Sequence, residues 1–172
     1  SAPPAFHSRI EALIGEVLCT RRDPNKIASD IREMRVRIAQ DKGEDNRWDL
    51  KYAAGGLVDL EFIAQYLSLV HAADKPEILD TNTMRVLEKA QSFGILSAAD
   101  GEFLRGATRL YHDLTQILRL CLSGPFVPKE AGPSLRALLA RAGTLPDFST
   151  LDAHLGETQT RVRRTFESIV KV

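Results

Sequence analysis

The sequence predicts an all-α fold, a helical bundle of about six or seven helices in a single domain over residues 1–172, and three observations carry that expectation. Leu (22), Ala (19) and Arg (16, against 7 Lys) dominate the 172 residues, a mix that favours helix over strand. Apolar residues recur at three- and four-residue spacing along most of the chain, the period of an amphipathic helix. Between those stretches stand helix-breaking clusters, of which 123–133 (SGPFVPKEAGP) is the strongest.

The elements follow in order. From about Pro4 to Cys19, Ile10, Leu13, Ile14, Val17 and Leu18 form an apolar stripe. Asp23-Pro24 is a helix start, a capping acid followed by Pro at the first helical position. The helix it opens is expected to turn Ile27, Ile31, Met34 and Ile38 inward and to stop near Lys42-Gly43. Residues 44–56 read as a loop in which Trp48, Leu50 and Tyr52 alternate as an extended piece does. Leu57 to His71 is the most apolar helix, and 74–81 turns the chain. A helix from about Asn82 to Phe93 ends at Gly94, suited to a left-handed cap. Ser97 and Asp100 resemble a capping box that opens a long helix to about Leu122, with Phe103, Leu104, Ala107, Leu110, Tyr111, Leu114, Ile117, Leu118 and Cys121 inward. Two more helices, roughly Ser134–Ala142 and Thr150–Val170, complete the set.

Composition narrows the function classes. Hydrophobic residues make up 44% and charged residues 27%, as in an ordinary globular protein. A chain of this length buries roughly 70% of the surface it exposes when unfolded. Lys plus Arg (23) equals Asp plus Glu (23), so no overall field draws the chain to nucleic acid or an anionic membrane. No run of 18 apolar residues is present, which argues against a membrane span. Cys19 and Cys121 lie far apart in apolar helical settings, which points to buried free thiols in a reducing, cytoplasmic compartment. His7, His71, His112 and His154 lack metal-ligand spacing, so no metal site is expected in this chain. Arg105, Arg109, His112, Gln116 and Arg119 form a polar stripe on the long helix, either a solvated face or an anion- or partner-facing ridge.

The informative segment is Lys51-Tyr52-Ala53-Ala54-Gly55-Gly56-Leu57-Val58-Asp59-Leu60-Glu61-Phe62-Ile63-Ala64-Gln65. At 100° per residue, Glu61, Gln65, Ser68 and Ala72 share a narrow sector, a solvated face or a partner-facing one. Asp59 falls inside the apolar arc, where an ionised carboxylate needs partners. Free N–H groups of the first helical turn and Lys51 are the candidates. The Gly55-Gly56 pair permits a tight turn and can present N–H groups to a phosphate.

The run K-x-x-x-G-G-L-V-D-L-E-F-I-A-Q-Y-L resembles the hallmark of the glutamine synthetase adenylyltransferase family, with the PII uridylyltransferases as more distant relatives. In that family the deadenylylating half tends to read G-G-I-R-E-I-E-F and the adenylylating half G-G-x-x-D-I-E-F. Val58-Asp59-Leu60-Glu61-Phe62 is similar to the second form. Glu33-Met34-Arg35 and Asp49-Leu50-Lys51 resemble flanking features of the same half, and the likeness covers residues 23–122. The resemblance implies a helical domain beside a nucleotidyltransferase domain, in an enzyme that moves AMP from ATP to a tyrosine of glutamine synthetase with Mg²⁺. It implies that Lys51, Gly55, Gly56, Glu61, Gln65 and Arg35 support or approach the nucleotide cleft, with Asp59 and Phe62 structural. Glutamine synthetase, PII signal protein and the adjoining nucleotidyltransferase domain are the implied partners. That superfamily holds Mg²⁺ on an Asp-x-Asp pair after a Gly-Ser turn. These 172 residues contain neither, and Asp59 and Glu61 stand about 200° apart on their helix. No catalytic residue is therefore assigned in this chain, which is expected to be a fragment, inactive alone. The alternative expectation is a helical module that docks glutamine synthetase or PII without touching nucleotide.

Overall fold

The computed structural model describes residues 4–171, and the side chains from residue 8 onward. Among the described residues it contains seven α-helices, one 3-10 turn and no strand. The helices are α1 (Pro4–Leu18), α2 (Pro24–Lys42), α3 (Leu57–His71), α4 (Thr83–Ser92), α5 (Ala98–Cys121), α6 (Pro133–Ala142) and α7 (Phe148–Ile169), with the 3-10 turn at Pro76–Ile78. Local side-chain chemistry sets several ends. Asp23 accepts from the Asn25 amide with Pro24 behind it, Asn82 caps α4, and Ser97 accepts from the Asp100 amide. Gly94 takes the left-handed conformation, φ 72°. Helix α7 begins slightly before the expected Thr150, because Asp147 accepts from the Thr150 amide and so caps an earlier turn.

Helix α3 is the axis of the bundle. It packs against α2, α4, α5 and α7, and Leu57, Val58, Asp59, Leu60, Ile63, Ala64 and Leu67 are buried along it. Its neighbours supply Ala28 and Ile31 from α2, Val86, Leu87 and Ala90 from α4, Leu104, Tyr111 and Leu114 from α5, and Leu151, Leu155, Val162 and Phe166 from α7. The last helix thus returns to the core that the first half of the chain lays down.

Four sequence expectations are corrected. The stripe of α1 does not reach the core: Ile10, Leu13, Ile14 and Val17 are exposed. On α2 the inward face is rotated, with Arg35 buried and Met34 exposed, because a buried acid on α3 requires the guanidinium. The segment around Trp48 is a series of turns rather than an extended piece, held by Asn46 and Asp49 carbonyls that accept from the Asp49, Tyr52 and Ala53 amides. Its apolar alternation reflects the burial of Trp48 and Leu50, with Trp48 stacking on Phe148 of α7 at 5.3 Å between ring centroids and meeting Phe126 at 4.7 Å. Cys121, expected inside, is exposed at the end of α5, while Cys19 is half-buried.

Candidate functional site

The turn that starts α3 is the point where four helices meet. Gly55 has φ 76°, a conformation that glycine adopts without penalty. Its carbonyl accepts from the Tyr111 hydroxyl of α5 at 2.9 Å. A Cβ at Gly55 would stand 1.9 Å from the Gln159 carbonyl oxygen of α7, and one at Gly56 would stand 2.7 Å from the Leu50 carbonyl. Two glycines are therefore needed for close approach of backbone to backbone. Their amides are engaged: Gly55 N–H donates to Asp59 Oδ2 at 2.6 Å, and Gly56 N–H donates to the Ala53 carbonyl at 2.8 Å. Neither is free to meet a phosphate.

Asp59 is 0% exposed, and its charge is answered from three sides. Besides the Gly55 amide on Oδ2, Arg35 Nε of α2 donates to Oδ1. Arg163 Nη1 of α7 stands 3.5 Å from Oδ2. Arg35, itself 2% exposed, also donates from Nη2 to the Tyr52 and Ala53 carbonyls and pairs with Glu44 Oε2 at 2.9 Å. A buried carboxylate is stable only with such a complete set of partners. Burial, with the Asp59 charge beside it, pushes the Tyr111 hydroxyl far above its usual range, so it stays a neutral donor to Gly55. Burial works against the Arg163 charge, yet the Glu167 hydrogen bond and the nearby Asp59 and Glu44 carboxylates hold its guanidinium above the ordinary value.

The residues singled out from the sequence separate into two groups. Asp59, Gly55, Gly56 and Arg35 come together in this buried hub. Lys51 does not join it: the side chain is exposed, with its ammonium 5.1 Å from the Tyr52 ring centroid. The partner of Asp59 is Arg35, because the Lys51 backbone instead accepts the Val58 amide at the helix start and sends the side chain outward. Phe62 is half-buried against the core. Glu61 and Gln65 are exposed on one wall of a groove of about 770 Å³ whose other walls include Ile14 and Leu18 of α1 and the segment Leu79–Thr81. On the α5 stripe Arg109, His112, Gln116 and Arg119 are exposed, and half-buried Arg105 donates to Gln91 at 2.6 Å.

Glu44 and Arg163 are hub residues that the sequence reading did not select. The signal for them was indirect: a buried acid and a buried arginine each demand counter-charges, and Arg163 sits four residues before Glu167, which accepts from its Nε at 2.9 Å. Among the described residues no group of three or more His, Cys, Asp or Glu side chains could hold a metal ion. Asp59 is committed to Arg35 and Gly55 and Glu61 is exposed, so these two acids do not fit a shared Mg²⁺ site. The side chain of His7 lies outside the described residues. No helix among the described residues is long and apolar enough to cross a membrane.

Comparison with known proteins sets this geometry in a family. The chain is 57% identical over 171 residues to the bifunctional glutamine synthetase adenylyltransferase/adenylyl-removing enzyme of Bradyrhizobium sp. strain BTAi1. It is 55% identical to the corresponding enzyme of Bradyrhizobium diazoefficiens, and 52% identical to that of Xanthobacter autotrophicus. Each match covers 99% of this chain and 17% of the relative, so the chain spans about a sixth of the length of these proteins. The likeness runs on through α6 and α7, past residue 122 where the recognisable motifs stop. Residues 26–170 match the family model described as GlnD PII-uridylyltransferase, and the chain belongs to that family.

Proposed function

We propose that this chain is the helical domain that stands beside the adenylylating nucleotidyltransferase domain of a cytoplasmic glutamine synthetase adenylyltransferase. In this reading the neighbouring domain carries the acids, Mg²⁺ and ATP, and transfers AMP to a tyrosine of glutamine synthetase under control of PII signal protein. The helical domain forms one wall of the cleft. The observation that carries the reading is the contrast within one motif: Asp59 is fully buried and locked, while Glu61 and Gln65, two and six residues on, are exposed on the same helix. A rigid base with an outward polar pair is what a cleft wall requires, since a functional side chain must be held by supporting bonds to be useful. The whole-chain similarity to bifunctional adenylyltransferases supports the choice of reaction.

The experiment compares two proteins in AMP transfer from ATP to glutamine synthetase. The longer polypeptide carrying this chain transfers AMP in the presence of Mg²⁺, and the 172-residue chain alone transfers none. Turnover by the chain alone above background overturns the fragment reading. Absence of transfer by the longer protein, with tight binding of glutamine synthetase or PII by this chain, favours the docking module instead.

A further inference from the structure

We propose that Arg163 is a positioning residue for the α3 face, acting through Asp59, and that α7 is the splint that fixes the 44–59 segment; this rests on the functional reading above. Three polar side chains of α7, Asp152, Gln159 and Arg163, follow one another at seven- and four-residue spacing and so share a helix face. All three address the same segment. Asp152 Oδ1 accepts from Trp48 Nε1 at 2.8 Å, and its Oδ2 accepts from Arg47 Nη1 at 3.0 Å. Gln159 Nε2 donates to the Arg47 carbonyl at 2.7 Å. Arg163 Nη1 stands 3.5 Å from Asp59 and 3.8 Å from Glu44. Between the last two grips, the Gln159 carbonyl abuts Gly55 so closely that no side chain fits.

Arg163 is the member whose charge matters. Asp59 and Glu44 both pair with Arg35. Without Arg163, the buried Asp59 and the half-buried Glu44 face one guanidinium. Glu167 aims the Arg163 side chain, yet Nη1 is buried without a hydrogen-bond partner among the described residues. It therefore acts on Asp59 chiefly as a charge just beyond bonding distance. Asp59 holds the Gly55 amide, and Gly55 ends the segment that bears Lys51, two residues before the helix that bears Glu61. A shift of Asp59 is thus passed to both sides of the proposed cleft wall. Displacements of about 1 Å far from the chemistry cost as much as a hundredfold in rate.

The test uses Arg163→Met, which keeps bulk and removes charge, and Arg163→Lys, which keeps charge. In the longer polypeptide, Arg163→Met is expected to lower kcat for AMP transfer roughly tenfold to a hundredfold, with KM for ATP changed less than about twofold and Arg163→Lys recovering most of the loss. In the 172-residue chain, the Gly55 amide proton, which donates to Asp59, is expected to shift and to exchange faster in Arg163→Met than in Arg163→Lys. Unchanged kcat in folded Arg163→Met overturns the positioning role, and so does a Gly55 amide insensitive to both variants. A wild-type protein that transfers no AMP refutes the functional reading instead, and the Gly55 amide then decides alone whether Arg163 acts through Asp59.

Discussion

Replacing Asp59 by Ala is the sharpest probe of the buried hub. The side chain is 0% exposed and its partners Arg35 and Gly55 are buried with it. Removing one member of a buried ion pair costs about 3–5 kcal/mol, because the other charge is left in a medium that cannot solvate it. Here Arg35 keeps Glu44 at 2.9 Å and the Tyr52 and Ala53 carbonyls, which places the expected loss at the lower end, about 3 kcal/mol. With a urea dependence of about 2 kcal/mol per molar, the unfolding midpoint falls by about 1.5 M. Equilibrium unfolding followed by circular dichroism measures it. The double variant Arg35→Met/Asp59→Leu removes both charges and is expected to recover part of the loss, not all, since the Gly55 amide stays unpaired. An unfolding free energy for Asp59→Ala within about 0.5 kcal/mol of wild type refutes the hub as a source of stability.

Three further outcomes follow from the same geometry. Gly55→Ala meets both a left-handed φ of 76° and a Cβ position 1.9 Å from the Gln159 oxygen, and is expected to lose about 3 kcal/mol or more; a thermal melt like wild type contradicts the close approach of α7. Tyr111→Phe leaves the Gly55 carbonyl without the hydroxyl donor at 2.9 Å, a loss of about 1–2 kcal/mol by urea unfolding, and a neutral result means that water replaces the donor. His71 titrates below the ordinary 6.5 in the folded chain, chiefly because burial disfavours the imidazolium, with Lys75 adding to the effect and Asp74 opposing it. Its contribution is absent above the unfolded value and becomes destabilising as pH falls through 6.5 towards the folded value, since the unfolded chain then binds more protons. An NMR titration with a midpoint at or above 6.5 contradicts this.

The legible parts of the fold were those governed by local chemistry. Caps at Asp23, Ser97 and Gly94 declare themselves because the residue type and the backbone requirement coincide at one position. The α2 face was misassigned by one residue because periodicity ranks Met34 above Arg35, and only the tertiary demand of Asp59 reverses that order. Periodicity shows the apolar stripe of α1 but not what lies opposite it; Val17 is 61% exposed. In the site, the anomaly of Asp59 within an apolar arc was visible at once. Its partner was not, since Arg35 and Arg163 stand 24 and 104 residues away and a pairing across helices leaves no local pattern. The packing role of Gly55 was equally hidden, because the Gln159 backbone that meets it has no sequence signal of its own.

The most direct measurement of the central claim is AMP transfer to glutamine synthetase by the longer polypeptide carrying Glu61→Ala/Gln65→Ala, normalised to its folded fraction. Both side chains are exposed, so the double variant of the 172-residue chain is expected to keep its stability to within about 0.5 kcal/mol. If α3 forms the cleft wall, transfer falls about tenfold to a hundredfold, equivalent to about 1–3 kcal/mol of transition-state stabilisation. Transfer equal to wild type, in a protein equally well folded, would place Glu61 and Gln65 on an ordinary solvated face and contradict the account.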